Sequence, residues 1–139
     1  MARTYIEDLQ KLPADEEVTI RGWLTHKRSS GKVRFLVVRD GSGLLQCVMV
    51  KGMVPDASFE AFDALTQESS LAITGKIKKD DRAPGGVEME LTSLEIISVA
   101  KEYPISPKEH GVDFLMDHRH LWLRSSRQHA ILRVRHQII

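Results

Sequence analysis

Apolar and polar residues alternate through much of residues 18–50, and a period of two is typical of half-buried β-strands. The pattern predicts three strands, the first beginning at Val18 and the others at Val33–Arg39 and Leu44–Val50. Turn residues separate these strands at positions 29–32 and 40–43. The Asp-Gly pair in the second turn predicts a tight hairpin, because glycine tolerates the positive φ that such turns require.

The same alternation predicts which side chains face the core. The inward positions of the three strands are expected to be Val18, Ile20, Leu24, Leu36, Val38, Leu45, Cys47 and Met49. Phe35, Val37 and Arg39 then face outward on the second strand. Gln46 faces outward on the third strand, on the same face as Phe35.

The period becomes helical after residue 55. Phe59, Phe62 and Leu65 form a narrow apolar stripe, which predicts a short helix packed on a sheet. Asp56 or Ser58 is the expected N-cap, since both side chains accept hydrogen bonds from the first free backbone amides.

Strand patterns return at residues 70–77 and 87–99, and residues 1–15 have the apolar spacing of a short lead-in helix. The order strand–strand–strand–helix–strand–strand predicts a mainly β fold, a five-stranded OB barrel with one short helix between strands 3 and 4. A small β-sandwich fits the strand count, but such sandwiches rarely have a short helix at that place. Residues 1–100 are therefore predicted to form an OB domain.

Residues 101–124 are predicted to form a hinge or linker, which contains Pro104, Pro107 and an irregular stretch from residue 112. A last helix over residues 125–139 is expected to carry an apolar face formed by Ala130, Ile131, Val134 and Ile138. Because an amphipathic helix needs a partner to cover its apolar face, we expect the chain to be a piece of a longer protein.

Charge is unevenly distributed along the chain. The net charge is +1, but residues 21–51 carry seven basic residues against the single acid Asp40, a local net charge of +6. The seven are Arg21, Lys27, Arg28, Lys32, Arg34, Arg39 and Lys51. A local basic patch in a nearly neutral chain predicts a nucleic-acid interface, and a solvated charged sheet face is the alternative.

Side chains on the predicted sheet have the chemistry that unpaired bases require. Phe35 suits stacking on a base, which contributes about 1–3 kcal/mol per base. Gln46 offers a donor and an acceptor to a base edge, and Glu88 accepts hydrogen bonds from exocyclic amines. Arg28 and Lys32, placed in the first loop, suit phosphate or base contacts. The alternatives are a core position for Phe35 and solvated strand positions for Gln46 and Glu88.

Other kinds of site have little support. Cys47 is the single cysteine, which excludes a disulfide within the chain and a cysteine-based metal site. The histidines near Asp117 lack the spacing of a metal centre, so no metal site is predicted. We find no nucleophile–base set, phosphate loop, signal peptide or membrane-spanning run. The segment is therefore expected to be cytoplasmic and non-catalytic and to bind no cofactor of its own.

Two stretches resemble a known family of enzymes. The run RGWLTHKRSSGKVRFLVVRDGSGLLQCV resembles the anticodon-binding domain of class IIb aminoacyl-tRNA synthetases, which comprise the asparaginyl, aspartyl and lysyl enzymes. The run YPISPKEHGVDFLMDHRHLWLRSSRQHAILRVRHQII is similar to the hinge and the start of the catalytic domain in one asparaginyl branch. The resemblance covers essentially the whole chain.

The resemblance implies roles for individual residues. Phe35 would stack on the middle anticodon base, a uridine, Gln46 would hydrogen-bond it, and Arg28 would contact the anticodon. The loop from Arg82 to Glu88 would contact the outer bases. Further nucleic-acid contacts are expected from Arg21, Lys27, Lys32, Arg39 and Arg82.

The resemblance also implies the context of the segment. Residues 125–139 resemble the start of the class II motif 1 helix, so Ile131, Val134 and Ile138 are expected at a homodimer interface. The full-length protein would be an ATP- and Mg-dependent ligase that reads the GUU anticodon of the asparagine tRNA. An aspartyl enzyme, a free-standing single-strand-binding OB protein and a protein-interaction OB module are the alternatives.

Overall fold

The computed structural model describes residues 4–106 and 108–139. The first three residues of the lead-in and Pro107 of the predicted linker lie outside the described residues. The chain divides into two compact units, Met1–Lys101 and Glu102–Ile139, which are described separately.

The first unit is a closed five-stranded barrel. Its strands are β1 (Glu17–Ser30), β2 (Val33–Arg39), β3 (Leu44–Val50), β4 (Ser70–Lys79) and β5 (Val87–Ser98). They follow the order β1-β2-β3-β5-β4 around the barrel, and β1 closes on β4. All neighbours are antiparallel except β3 and β5, which are parallel. The predicted OB barrel with one helix between its third and fourth strands is confirmed.

The first strand is longer than the pattern predicts. β1 pairs with β4 through residues 17–23 and with β2 through residues 23–30, so it spans both sides of the barrel. Its register shifts between Leu24 and His26, where β1 has one residue more than β2. This β-bulge reverses the alternation of inward and outward side chains beyond it. Because β1 continues to Ser30, Arg28 lies on a strand and pairs with Phe35, so the prediction that placed it in the first loop is wrong.

The predicted core is confirmed. The expected inward side chains of β2 and β3 are at most 1% exposed, and they are Leu36, Val38, Leu45, Cys47 and Met49. Helix α1 (Asp56–Ala64) adds Phe59 and Phe62 to the same apolar cluster. Burial of an aliphatic or aromatic side chain contributes roughly 1.5–3 kcal/mol, so these positions dominate the stability of the unit.

The start of α1 differs from the prediction. Pro55 occupies the N-cap position and makes no side-chain capping bond, whereas Asp56 is the first helical residue. The Ser58 hydroxyl lies within hydrogen-bonding distance of the Leu94 backbone, 3.4 Å from its carbonyl oxygen and 3.3 Å from its nitrogen. Ser58 therefore joins the helix to β5, so neither expected residue caps α1.

Two glycines allow the backbones of adjacent strands to approach each other closely. A Cβ at Gly22 would overlap the backbone carbonyl of Arg39, and one at Gly75 would overlap that of Glu90. Both positions are buried within strands, and Gly75 lies at a register shift between β4 and β5. Only glycine fits where the backbones of adjacent strands come this close.

The β2–β3 hairpin forms where it was predicted but by another mechanism. Gly41 is not among the glycines with positive φ. Instead the Asp40 carboxylate, 4% exposed, accepts hydrogen bonds from the Ser42 hydroxyl and from the backbone N–H groups of Ser42, Gly43 and Ile6 at 2.7–3.0 Å. Burial alone would raise the pKa of Asp40, but these hydrogen bonds outweigh it and lower the pKa.

The lead-in forms a 3-10 helix, Ile6–Lys11, with Ile6 and Leu9 buried. It is held against the β4–β5 connection. The Lys79 ammonium donates to the carbonyl of Gln10 at 2.7 Å, and the Gln10 side chain donates to the carbonyl of Gly85. The lead-in is therefore part of the barrel unit.

The second unit contains helix α2 (Val112–Asp117), a 3-10 helix (Arg119–Arg124) and helix α3 (Ser126–Ile138). The predicted irregular stretch from residue 112 is therefore wrong. Phe114 stacks between His110 and His118 with ring centroids 4.4 Å apart on both sides, a stabilising contact that the apolar pattern does not show. Among the residues described, no helix combines the length and apolar character needed to span a membrane.

The buried Asp40 carboxylate predicts a pH-dependent contribution to stability. Because its folded pKa is lowered, the contribution is present above the ordinary carboxyl pKa and is lost as the pH falls through the folded value. We expect Asp40→Asn to lower the free energy of unfolding at pH 7 by about 1–3 kcal/mol and to flatten its decline in acid. Urea unfolding from pH 7 to pH 3 measures both effects. The exposed Asp81→Asn is the control, and an unchanged pH profile for Asp40→Asn would contradict the assignment.

Candidate nucleic-acid interface

The strand registers align outward side chains in two rows across the barrel wall. The first row runs through Arg28, Phe35, Val48, Glu90 and Lys76. The second row runs through His26, Val37, Gln46, Glu88 and Lys78. All ten side chains are exposed or half-buried. The rows form a continuous face over β1, β2, β3, β5 and β4, which we call the outer face.

Arg28 and Phe35 form a pair at one end of the outer face. They lie opposite each other on β1 and β2, and the guanidinium carbon of Arg28 is 4.0 Å from the centroid of the Phe35 ring. This is a cation–π contact, worth about 0.5–1 kcal/mol at an exposed site. The half-buried Phe35 confirms the outward placement of this ring and excludes a core role.

Gln46 and Glu88 form a second pair. They lie opposite each other on the parallel strands β3 and β5, and the Gln46 Nε2 donates to Glu88 Oε2 at 2.6 Å. Phe35 and Gln46 lie on adjacent strands one outward position apart, because Phe35 pairs with Val48 and Gln46 with Val37. The diagonal spacing of such neighbours is roughly 7–8 Å, within reach of one stacked base.

Lys27 does not lie on the outer face. The bulge turns it toward the end of the barrel, where its ammonium donates to the Phe62 carbonyl at 2.8 Å and lies 4.7 Å from the Phe62 ring. Desolvation there lowers the pKa of Lys27. Arg34 points the same way, over Phe59 and Phe62, and pairs with Asp63 at 3.1 Å. The structure thus gives Lys27 a role at the C-terminal end of α1 and does not support its predicted nucleic-acid contact.

Arg39 faces outward but is engaged within the protein. Its guanidinium makes a bidentate ion pair with Glu68 at 2.8 and 2.9 Å and lies 5.9 Å from the Trp23 ring. The side chains of this pair are only 20% and 12% exposed, respectively. A bidentate, partly buried pair of this kind holds its partners firmly, so Arg39 is poorly placed to leave it for a phosphate.

The other predicted basic contacts surround the outer face. Arg21 lies on the half of β1 that pairs with β4, away from Arg28, and Lys32 lies in the β1–β2 turn. Arg82 lies in the β4–β5 connection with its side chain 92% exposed and pairs with Asp80 at 3.2 Å. Asp80, and to a smaller extent Glu88, raises the pKa of Arg82.

The described residues offer no alternative reactive centre. Cys47 is fully buried, and desolvation raises the pKa of its thiol, so the group is unreactive. Across residues 4–106 and 108–139, no three His, Cys, Asp or Glu side chains are grouped to hold a metal ion.

Comparison with protein families identifies the fold that carries this face. Residues 18–97 match the tRNA anticodon family, described as the OB-fold nucleic acid binding domain. The chain belongs to this family. The matched range includes all four residues of the two outer-face pairs.

Proteins similar to this chain include aminoacyl-tRNA synthetases. The asparagine–tRNA ligase of Roseiflexus sp. (strain RS-1) is 56% identical over 89% of this chain and 28% of that protein. Asparaginyl-tRNA synthetase from Pyrococcus horikoshii, complexed with asparaginyl-adenylate, matches 96% of this chain and 31% of its own with a TM-score of 0.83 and 34% identity. Aspartyl tRNA synthetase from Entamoeba histolytica covers 96% of this chain and 34% of its own with a TM-score of 0.76 and 25% identity. The chain spans about a third or less of the length of these relatives.

Sequence reasoning found the members of both pairs but not the pairing. Strand alternation places Phe35 and Gln46 on one face, whereas the contact between Gln46 and Glu88 depends on β3 meeting β5, 42 residues later. The roles of Arg28, Phe35, Gln46 and Glu88 in binding RNA remain predictions.

The opposite orientations of Lys27 and Arg28 predict that substitution lowers stability more at Lys27 than at Arg28. Lys27→Met removes the hydrogen bonds to the end of α1 and is expected to lower the free energy of unfolding by about 1 kcal/mol. Arg28→Met replaces the exposed cation–π contact with a thioether–ring contact of similar strength, so it is expected to change the free energy of unfolding by less than about 0.5 kcal/mol. Urea unfolding of both variants measures the difference. A larger loss for Arg28→Met than for Lys27→Met would contradict the bulge that orients them.

Proposed function

We propose that this chain is the anticodon-binding part of an asparagine–tRNA ligase and that it binds the GUU anticodon of the asparagine tRNA. The observation that carries the proposal is the placement of the Arg28–Phe35 pair beside Gln46 on the outer face of a family member. The asparagine–tRNA ligases that match the chain at 56% identity favour asparagine over aspartate.

The middle uridine of the anticodon fits the two pairs. The uracil ring stacks on the half-buried Phe35, and the Gln46 amide hydrogen-bonds its edge from the neighbouring strand. Arg28 already lies on the Phe35 ring, so its guanidinium moves aside toward the base edge or a phosphate as the uracil enters. In this arrangement stacking on Phe35 contributes affinity, and hydrogen bonds from the Gln46 amide distinguish uracil from other bases.

The outer bases lie toward the loops at the edges of the face. Arg82 and Glu88 in and after the β4–β5 connection, with Lys32 in the β1–β2 turn, are the proposed contacts there. Arg21 is proposed as a weaker contact to the RNA backbone. Lys27 and Arg39 are not proposed as contacts, because both are engaged within the protein.

The longer protein is proposed to be a cytoplasmic ligase that uses ATP and Mg²⁺, with no catalytic residue or cofactor in this segment. In it, residues 1–100 would form the OB domain, 101–124 the hinge and 125–139 the start of motif 1. Ile131, Val134 and Ile138 on α3 are 51%, 60% and 79% exposed, which supports their proposed place at a homodimer interface.

Two alternatives follow from specific observations. The aspartyl enzyme of Entamoeba histolytica resembles the chain with a TM-score of 0.76, and the OB fold also occurs in proteins that bind single strands without sequence preference. An aspartyl domain prefers C to U at the third anticodon position. A non-selective binder treats all loops alike.

Binding of anticodon stem-loop RNAs at two salt concentrations tests the proposal. We expect the 139-residue chain to prefer a GUU loop over a GUC loop and over a scrambled loop, with affinity that falls as salt rises. Equal affinity for the GUU and scrambled loops would contradict the proposal. A preference for GUC would indicate the aspartyl alternative, and salt-independent or absent binding a protein-interaction module.

Removal of the stacking ring should weaken binding without unfolding the barrel. Phe35→Ala is expected to lose roughly 1–3 kcal/mol of binding to the GUU stem-loop, because a base loses its aromatic platform. Val48→Ala, which truncates the neighbouring outward side chain of the same row, is the matched control and should change binding little. Fluorescence anisotropy with labelled RNA measures both. Equal losses for the two variants would show that Phe35 does not stack.

A further inference from the structure

The Gln46–Glu88 hydrogen bond constrains the side chain that reads the middle base. An amide presents an oxygen that accepts and a nitrogen that donates, and rotation by a half-turn exchanges the two. A carboxylate can only accept. The group of Gln46 that faces Glu88 must therefore be its nitrogen, which lies 2.6 Å from Glu88 Oε2.

The sheet order fixes where the amide oxygen lies. β3 lies between β2 and β5, so an amide with its nitrogen toward Glu88 on β5 turns its oxygen away from β5. Phe35 lies on β2, the strand on that other side. A base stacked on Phe35 therefore meets the Gln46 oxygen, which is an acceptor.

Neighbouring charges leave this arrangement intact. Lys78 lies opposite Glu88 on β4, but its ammonium contacts Asp15 and lies 3.8 Å from Glu90. Arg82 pairs with Asp80 at 3.2 Å. The Glu88 carboxylate accepts the hydrogen bond from Gln46 at 2.6 Å.

We propose that Glu88 is a positioning residue that makes the anticodon site selective for uridine over cytidine by holding the Gln46 amide oxygen toward the stacked base. This inference rests on the proposed function. Uracil presents the N3–H donor to that oxygen. Cytosine carries an unprotonated N3 at the same ring position, so two acceptors face each other. Glu88 thus acts on the middle base through Gln46.

The variant Glu88→Gln removes the constraint while preserving the size of the side chain. A second amide can either donate or accept, so Gln46 becomes free to turn its nitrogen toward the base and to accept cytosine. Loss of a negative charge also favours RNA binding in general. We therefore expect Glu88→Gln to bind a GCU stem-loop more tightly than the wild-type chain does, with a smaller gain for GUU.

Affinities of the 139-residue chain for GUU and GCU stem-loops measure the effect. The wild-type chain is expected to bind the GUU stem-loop about tenfold or more tightly than the GCU stem-loop. For Glu88→Gln this ratio of affinities is expected to fall below about threefold. Glu90→Gln is the matched control, since it removes the same charge from the next outward position of β5 without touching Gln46. Glu90→Gln should retain the wild-type ratio of GUU to GCU affinity. Glu88→Asp keeps a carboxylate, which can only accept hydrogen bonds, and should retain most of that ratio.

The outcomes separate this inference from the proposed function. If the wild-type chain binds GUU no better than a scrambled loop, both fail. If the wild-type chain is selective and a folded Glu88→Gln keeps the full U-over-C ratio, only the role of Glu88 is overturned. The role of Glu88 would also be overturned if Glu90→Gln lowered the GUU-to-GCU affinity ratio as much as Glu88→Gln does, because the effect would then arise from charge alone.

A measurement on the wild-type chain covers the case in which Glu88→Gln does not fold. Nuclear Overhauser effects from the side-chain amide protons of Gln46 to the side-chain protons of Glu88 are expected in the free protein. Effects from those amide protons to the Phe35 ring, without any to Glu88, would overturn the proposal.

Discussion

The parallel pairing of β3 with β5 is the contact on which the outer face depends. Only three residue pairs form it, Gln46 with Glu88, Cys47 with Met89 and Val48 with Glu90. The middle pair is buried and contributes to the core, while the flanking pairs face outward. Closure of the barrel therefore buries apolar surface and assembles the polar part of the site in the same three positions.

Side-chain direction, more than net charge, decides which basic residues can meet RNA. Adjacent residues of a strand point to opposite faces, and the one-residue bulge near Thr25 decides which of two cations faces outward: Arg28 lies on the outer face against Phe35, and Lys27 lies against the end of α1. The charge of +6 in residues 21–51 therefore overstates the surface available for binding. The chemistry proposed for the site needs only one mobile guanidinium, one ring and one oriented amide.

The sequence pattern predicted the barrel because the residues at every second position of β2 and β3, Leu36 and Val38 and then Leu45, Cys47 and Met49, are apolar and point inward. It failed where one residue interrupts the period or where partners are distant in the chain. Beyond the bulge β1 continues to Ser30, so Arg28 lies on a strand and not in the predicted loop, and the Gln46–Glu88 contact joins residues 42 apart. The helix at Val112–Asp117 was missed because it has only six residues, too few for a helical period to be recognised in the sequence.

The most direct test of the account follows the chain by nuclear magnetic resonance as a GUU anticodon stem-loop is added. The account predicts that the Phe35 ring protons, the Gln46 side-chain amide and the Arg28 guanidinium shift together. Inward-facing neighbours such as Leu36 should stay nearly constant. Shifts centred on the β1–β4 side around Arg21, with the Phe35 and Gln46 signals unchanged, would contradict the assignment of the RNA site to the outer face.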